Sequence, residues 1–474
     1  MRITLIITIL LALNLNAPKS YDSKSEVADK LDIFMNECKE LDLFSGTILV
    51  AKDGNIIFER SYGYSYKENN YLNTNLTKYN IGSIGKIFTA IMILQLVQEN
   101  KISLDDKLNK YLDLFNQEIS SKVSIRDLLT HSSGFGDFIN HPEYRKNKEK
   151  YKEMNQLLKL ISGTELQFEP GTEKRYSNSG YVILGGVIEK ITNKTYTENM
   201  SERILEPLGM TSSGYIDWGF NDPLKATGYL KDIKGNLMDN NDLGLQATPA
   251  GGMYSTVEDI LKLDQSLLND NKLLNDVHKN IFFNDFSVSP KGFYEDYKKN
   301  VNAGNAFAGG APGINALWLQ LPGKGYTAVL LSNYDHAAEA IEIQITSILK
   351  GENYIKPNLP LPNTLYNLLQ KDGQENFAKH LRSFISSNVY NIENDRQLNN
   401  IGYMFLQNEL TIAAIEIFKL NTELFPDIAN CFDSLGEAYL KAGNKEEAKK
   451  SYSKVVLLDP ENEGAKKILD SLNP

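Results

Sequence analysis

The apolar and polar positions near the two ends of the first 350 residues predict β-hairpins. Residues 46–51 and 56–58 form β-rich runs on either side of the turn Lys52-Asp53-Gly54-Asn55. Residues 315–321 and 326–332 form a second pair around a turn that contains proline and glycine. Because strands at both ends enclose helical segments, we predict an α+β fold in which helices flank an antiparallel sheet.

Between these hairpins the apolar residues recur at helical spacing. Residues 87–97 are apolar almost all round, which is typical of a buried helix. Residues 104–205 show one-sided periodicity, of which Leu184, Val187 and Ile191 are an example. The pattern therefore predicts a central buried helix and a helical subdomain inserted between the strands.

A cluster of prolines separates this region from the rest of the chain. Three prolines between residues 357 and 362 interrupt all periodicity, so we predict a Pro-rich linker over residues 351–365. The linker would join a first domain of residues 25–350 to a helical repeat domain of residues 366–474.

The last domain repeats itself with a period of 34 residues. Residues paired by this offset are Gly402 with Gly436, Ala414 with Ala448, Phe418 with Tyr452, and Pro426 with Pro460. The period and the small and aromatic residues resemble the tetratricopeptide repeat. Two repeats alone bury too little apolar surface, so we expect helices near residues 377–385 and 464–472 to close the stack. The stack would either dock a protein or peptide partner or pack against the first domain.

The N-terminus predicts export. Arg2 precedes an apolar run over residues 3–15, which is typical of a secretory signal peptide, and we assign residues 1–20 to it. We expect a periplasmic or extracellular location, with a membrane contact only through an uncleaved signal segment. The net charge of -10 argues against a nucleic-acid partner, because no basic stripe is present. Cys38 and Cys431 fall in different predicted domains, which favours free thiols over a disulfide.

The segment Ser83-Ile84-Gly85-Lys86 at the head of the buried helix combines a nucleophile with a base. Positions i and i+3 share a helix face, so Ser83 and Lys86 would be neighbours. Burial lowers the pKa of a lysine, and a neutral amine within hydrogen-bond reach of a hydroxyl can take its proton. The pair therefore predicts a serine nucleophile with a lysine base, although a Ser-x-x-Lys spacing is short enough to occur by chance.

A second candidate motif is Tyr176-Ser177-Asn178, which we expect on a loop before the helix of residues 179–192. In an extended segment residues i and i+2 face the same way, so Tyr176 and Asn178 would enter one pocket. A phenol beside Lys86 can relay the Ser83 proton to a leaving group, and an amide can donate to a substrate carbonyl.

The third candidate element is the glycine-rich stretch of residues 307–313, which leads into the late hairpin. Glycine lets a backbone approach a ligand closely, although a plain turn is the commoner reason for it. A backbone N–H of this stretch, together with that of Ser83, would form an oxyanion hole.

The three motifs in this order resemble the serine β-lactamase and penicillin-binding family, in particular its branch of class C β-lactamases, D-alanyl-D-alanine peptidases and esterases. Further stretches that resemble this branch are residues 44–46, 126–134, 207–210 and 250–256. The resemblance covers about residues 30–350. It implies that Ser83 is the acylated nucleophile and that Lys86 and Tyr176 form the base system. It also implies that Asn178, Phe307, Gly309 and Gly310 contact substrate, with Gly310 supplying the second oxyanion N–H.

Phe307 and Ala308 depart from the family pattern, which usually has lysine or histidine followed by threonine or serine. In β-lactamases and D-alanyl-D-alanine peptidases the basic residue helps to hold the substrate carboxylate. Phe307 therefore favours an ester, or an amide without a free carboxylate, as the substrate. A cation from Arg175, Lys298 or Lys299 is the alternative.

The remaining histidines and carboxylates do not change this picture. His131 lies within a stretch that resembles the family, and we expect a structural role for it. The other histidines lack metal-ligand spacing, so we expect no metal and no cofactor.

The sequence therefore predicts an exported serine hydrolase that works through an acyl-enzyme on a small-molecule or peptide substrate. One alternative is a penicillin-binding protein or pseudo-enzyme whose repeats recruit a partner. The other, within the enzyme class, is a class C β-lactamase or D-alanyl-D-alanine carboxypeptidase.

Overall fold

The computed structural model describes residues 26–215, 222–243, 247–285, 294–387, 390 and 392–472. The predicted signal peptide lies outside these residues. The chain forms two compact units, one of residues 1–228 with 241–356 and the other of Tyr229–Asn240 with residues 357–474.

The strands of the described residues are all short and pair in antiparallel fashion. They are β1 (Gly46–Lys52), β2 (Asn55–Tyr62), β3 (Tyr64–Tyr66), β4 (Tyr71–Leu72), β5 (Tyr79–Asn80), β6 (Tyr229–Lys231), β7 (Leu237–Asp239), β8 (Tyr254–Ser255), β9 (Asn305–Ala311), β10 (Ile314–Leu321) and β11 (Tyr326–Ser332).

The α-helices differ widely in length, and the longest segment, α15, is interrupted by a kink at Gly373, where the backbone is not helical. They are α1 (Glu26–Glu40), α2 (Gly85–Gln98), α3 (Gln117–Ser120), α4 (Ile125–Leu129), α5 (Pro142–Lys146), α6 (Met154–Ser162), α7 (Asn178–Thr192), α8 (Tyr196–Met200), α9 (Glu206–Leu208), α10 (Val257–Asn269), α11 (Asp276–Asp285), α12 (Tyr294–Lys299), α13 (Ala337–Ala340), α14 (Glu342–Lys350), α15 (Leu361–Ser386), α16 (Asp395–Gln407), α17 (Thr411–Leu424), α18 (Ala429–Lys441), α19 (Lys445–Leu458) and α20 (Glu463–Leu472).

The main sheet has five strands in the order β2-β1-β11-β10-β9. Both β10 and β11 are buried along their whole length, because helices cover both faces of the sheet. One face packs against α1 and α14, and the other packs against α2, α10 and the helices that follow α2. This arrangement confirms the predicted α+β class, with strands from both ends of the unit and helices between them.

Helix α2 passes through the centre of the larger core. Its residues from Phe88 to Leu96 are all buried, as the apolar pattern predicts. A single 3₁₀ turn, Gly82–Ile84, precedes it, and Gly82 has a positive φ of 50° that favours glycine. The turn therefore presents Ser83 at the start of a rigid, buried helix.

The second unit is a stack of helices from α15 to α20. A Cβ atom at Gly402 would lie 2.4 Å from the Phe418 ring, and one at Gly436 would lie 2.8 Å from the Tyr452 ring. The two glycines thus admit the aromatic ring found 16 residues later in each repeat, which explains why glycine and an aromatic residue recur together.

A hairpin from the middle of the chain completes this stack. Ile233, between β6 and β7, belongs to the same apolar core as Leu365 and Leu369 of α15. The Asn363 side chain donates to the carbonyl oxygen of Ile233 at 3.1 Å. Residues 229–240 therefore pack with the repeats, although the sequence places them within the first domain.

Two further expectations differ from the structure. Helix α15 begins at Leu361, inside the predicted linker, because a proline at the first helical positions is compatible with a helix start. Helix α7 begins at Asn178, so this residue does not lie on an extended loop. Within the described ranges, no helix is both long and apolar enough to cross a bilayer.

Candidate active site

Ser83 and Lys86 lie on the same face at the start of α2, as their spacing predicts. The Lys86 Nζ atom is 3.0 Å from the Ser83 Oγ atom. The Lys86 side chain is 5% exposed, and burial lowers its pKa to about 7, against the opposing charge of Asp137. A large fraction of this lysine is therefore neutral near pH 7.

Two carbonyl oxygens determine the direction of the Lys86 amine. Its Nζ atom donates to Asn178 Oδ1 at 2.7 Å and to the Ala250 backbone oxygen at 2.5 Å. Asn178 has its oxygen toward Lys86 because its Nδ2 atom donates to Asp137 Oδ2 at 2.7 Å. Since both neighbours only accept, the two protons of a neutral amine point to them and the lone pair points to Ser83.

The Tyr176 hydroxyl is the second group on the nucleophile, 2.5 Å from Ser83 Oγ. Burial raises the pKa of Tyr176, and the charge of Asp137 adds to this, whereas the hydrogen bond with Ser83 opposes it. The phenol therefore keeps its proton at neutral pH. It can donate this proton to Ser83 while Ser83 donates to Lys86.

His131 supports the tyrosine from the side. Its ring centroid is 4.7 Å from that of Tyr176 and 5.2 Å from that of Tyr181. The Ser177 amide donates to His131 Nδ1 at 3.2 Å, and burial lowers the histidine pKa to about 4. This neutral ring is positioned to hold the Tyr176 side chain, which agrees with a structural role for His131.

The glycine pair of β9 lies directly against the 3₁₀ turn. A Cβ atom at Gly309 would be 2.1 Å from the Ile81 oxygen and 2.8 Å from the Ser83 nitrogen. A Cβ atom at Gly82 would be 2.6 Å from the Gly310 nitrogen. Only glycine allows so close an approach, and this contact brings the backbones of Gly310 and the Ser83 turn together.

Phe307 extends from the same strand into an aromatic cluster. Its ring centroid is 4.6 Å from that of Trp318 and 6.2 Å from that of Phe282. Trp318 is fully buried, and its indole N–H donates to Asp264 at 2.8 Å. The strand therefore offers an apolar side chain at the position where the family usually has a cation.

Two of the three alternative cations have other partners, and the third is exposed. Arg175 pairs with Glu173 at 2.7 Å, and the Lys298 amine lies 5.0 Å from the Tyr294 ring centroid. Lys299 is exposed at the end of α12. The part of the chain that the structure describes records no contact between these three side chains and Ser83, Lys86 or Tyr176.

Two residues of the site could not be identified from the sequence. Asp137 acts through Asn178, which lies 41 residues later, and Ala250 acts through its backbone oxygen. Ala250 does begin a stretch that resembles the family, but its side chain has no role in the contact. Across the described ranges, no cluster of three or more histidine, cysteine or acidic residues is arranged to hold a metal.

Comparisons with known proteins show which sequences and structures this chain is similar to. The Beta-lactamase family model matches residues 35–350, and a model of the tetratricopeptide repeat matches residues 429–462. Protein flp of Staphylococcus aureus strain COL is 26% identical over 318 residues, covering 65% of this chain and 64% of that protein. The teichoic acid D-alanine hydrolase of the same species is 30% identical over 252 residues, covering 51% of this chain and 58% of that protein.

The chain thus spans less than two thirds of the length of these curated relatives. Among solved structures, a penicillin-binding protein from Bacillus halodurans superposes with a TM-score of 0.59 at 25% identity. The superposition covers 66% of this chain and 99% of that one.

Proposed function

The chain belongs to the beta-lactamase family, and from that premise we propose that it is an exported serine hydrolase whose reaction passes through an acyl-enzyme on Ser83. The observation that carries the proposal is the arrangement of Lys86. Two carbonyl oxygens and the Ser83 hydroxyl surround its Nζ atom, so in the neutral amine the two protons would point to the carbonyl oxygens and the lone pair to Ser83. The N-terminal sequence pattern supports export.

The acylation step begins when Ser83 Oγ attacks the substrate carbonyl carbon and its proton passes to Lys86 Nζ. The backbone N–H groups of Ser83 and Gly310 stabilise the resulting oxyanion. When the tetrahedral intermediate collapses, Tyr176 protonates the leaving group, and the proton held by Lys86 restores the phenol. A water molecule then attacks the acyl-enzyme, the same groups transfer its proton, and Ser83 is released.

The substrate is an ester, or an amide without a free carboxylate. Phe307 supports this choice, because an aromatic ring does not form the charge-assisted hydrogen bond that holds a carboxylate. The relative that is named a teichoic acid D-alanine hydrolase supports alanyl esters as the first compounds to test.

The proposal is tested with neutral p-nitrophenyl acyl esters and a chromogenic cephalosporin. Purified protein should hydrolyse the esters faster, and Ser83→Ala should abolish this turnover. A fluorophosphonate should add covalently to Ser83, as measured by mass spectrometry of the peptides. Absence of both ester turnover and the adduct would contradict the proposal of a serine hydrolase.

The second candidate is a penicillin-binding protein with little turnover. The likeness to the penicillin-binding protein from Bacillus halodurans favours it. In that case a penicillin should form a lasting adduct on Ser83 while neutral esters are untouched. A class C β-lactamase or a D-alanyl-D-alanine carboxypeptidase would instead turn over the cephalosporin or a D-alanyl-D-alanine peptide.

The repeats are proposed to dock a protein or peptide partner. Pull-down with residues 357–474 alone would remove the hairpin that completes their core. The full chain is therefore the bait to use in this experiment.

A further inference from the structure

A pocket of about 320 Å³ opens beside Tyr176. Its lining includes Asp137, Arg175, Gln167 and the apolar side chains of Phe135 and Ile161. The volume lies at the lower end of the range for small-molecule sites, so it suits a small substituent of a substrate. Tyr176 links the pocket to the nucleophile, because this lining residue places its hydroxyl 2.5 Å from Ser83 Oγ.

Asp137 is tied to the catalytic groups by a short chain of hydrogen bonds. Its Oδ2 atom accepts from Asn178, whose oxygen accepts from Lys86. Its Oδ1 atom accepts from the Ile139 amide at 3.0 Å. These two hydrogen bonds hold the carboxylate in place and leave further lone pairs on both oxygens, because a carboxylate accepts about four hydrogen bonds.

The charge of Asp137 reaches three neighbouring groups. Burial lowers the pKa of Lys86, and Asp137 opposes that shift. Burial raises the pKa values of Tyr176 and Tyr144, and Asp137 adds to both shifts. An anion in this place favours a cation in the adjacent space and disfavours a second anion.

The cation that borders the pocket does not cancel this charge. Arg175 directs two of its nitrogens at one oxygen of Glu173, at 2.7 and 3.1 Å. This pair is neutral as a whole, and with its pKa lowered to about 7, Lys86 is only partly protonated near pH 7. The pocket lining carries two acidic residues, Asp137 and Glu165, against the one arginine, and Asp137 is the acid that is hydrogen-bonded to the Lys86 partner Asn178.

We infer that Asp137 recognises an ammonium group on the acyl part of the substrate, so that this pocket selects aminoacyl esters or amides over uncharged acyl groups. The inference rests on the proposed hydrolase and adds a specificity-determining residue to it. The absence of a cation at Phe307 fits the same pattern, because neither side of the site then attracts a carboxylate.

The experiment compares alanine methyl ester with N-acetylalanine methyl ester, in both enantiomers, on the full chain. The acetyl group removes the ammonium and leaves the ester unchanged. Wild-type protein should prefer the free amine, and Asp137→Asn should reduce that preference about tenfold or more, mainly through KM. Asp137→Glu should restore part of the preference, because it keeps the charge.

Two controls isolate the charge. Asp137→Asn loses one of the two hydrogen bonds that the carboxylate accepts, and the rate on the N-acetyl ester measures that loss. Glu143→Gln removes an acid on α5 that pairs with Lys150 and should leave the preference unchanged. An unchanged preference in Asp137→Asn, or a wild-type preference for the N-acetyl ester, would overturn the inference.

A binding measurement separates this inference from the hydrolase proposal. Alaninamide and N-acetylalaninamide are titrated against Ser83→Ala with and without Asp137→Asn, and no turnover is needed. Tighter binding of alaninamide that depends on Asp137 supports the subsite even if no ester is hydrolysed. Equal affinities in the two proteins contradict the subsite even if hydrolysis is observed.

Discussion

The candidate site has two walls, a helical wall and a strand wall, and they differ in the residues that they contribute. The helical wall carries four polar side chains, Ser83, Lys86, Tyr176 and Asn178, which are joined by hydrogen bonds of 2.5 to 3.0 Å. The strand wall, β9, contributes the ring of Phe307 and a pair of glycines. In the proposed mechanism one wall holds the groups that transfer protons, and the other offers the backbone N–H of Gly310 and apolar surface.

This difference separates reaction from recognition. The polar wall depends on the direction of each hydrogen bond, so a single change there should remove the chemistry. The strand wall acts through the Gly310 N–H, through shape and through its lack of charge, so side-chain changes that leave this N–H in place should alter fit or preference. Four measurements, from the largest expected effect to the smallest, test this separation.

Replacement of Lys86 by methionine should have the largest effect. Lys86→Met keeps the length of the side chain and removes the base, so kcat/KM for a neutral ester should fall by about 10²–10⁴. Lys279→Met is the matched control, because Lys279 is also buried but donates to the Asp270 backbone oxygen. Comparable losses in both variants would mean that Lys86 acts only through stability.

The glycine pair of β9 provides the next test. In Gly309→Ala the new methyl group would overlap the Ile81 oxygen, so the strand must move away from the turn. We expect kcat/KM to fall by about 10²–10³, the usual loss of one oxyanion donor. At Gly310 the nearest atom to a Cβ is 3.6 Å away, so Gly310→Ala keeps both the N–H and the fit. Equal effects of the two variants would mean that the close contact at Gly309 does not contribute to catalysis.

The pH profile tests the protonation state of the polar wall. The pKa of Lys86 lies below its usual value, at about 7, and the neutral form is the base. Activity should therefore be full above pH 7 and should fall about tenfold per pH unit below it. Asp137→Asn should move this transition to lower pH, because the charge of Asp137 raises the lysine pKa. A profile that is flat from pH 5 to 8 would exclude Lys86 as the base.

A cation on the strand wall should change preference more than rate. Phe307→His should raise the ratio of kcat/KM for carboxylate-bearing over neutral esters by about tenfold, the value of one charge-assisted hydrogen bond. The measurement is made below the histidine pKa, where the ring is charged. Phe307→Leu controls for loss of the aromatic cluster and should leave the ratio as it is.

The sequence predicted the parts of the site that depend on local geometry. Ser83 and Lys86 meet because positions i and i+3 adjoin on any helix. The two hairpins and the buried helix followed from short-range patterns of apolar residues. The repeat period was visible because a glycine admits an aromatic ring in each copy.

Contacts between distant segments were beyond prediction from one sequence. Tyr176 and Asn178 do converge on Lys86, and Ser177 between them has an extended backbone and also caps α7, which the short motif alone did not indicate. Asp137 and Ala250 reach Lys86 through the tertiary fold, and no local pattern distinguishes them. The hairpin of residues 229–240 joins the repeats through Ile233, more than 100 residues before α15.

That hairpin makes the two units interleaved along the chain. The core of the later unit is completed by a segment that is synthesised before the repeats. The repeats therefore pack against a strand pair that the chain joins at both ends to the first unit. Truncation at the prolines would separate Ile233 from the apolar side chains of α15 with which it packs. Residues 229–240, as well as the linker, therefore decide where this protein can be divided.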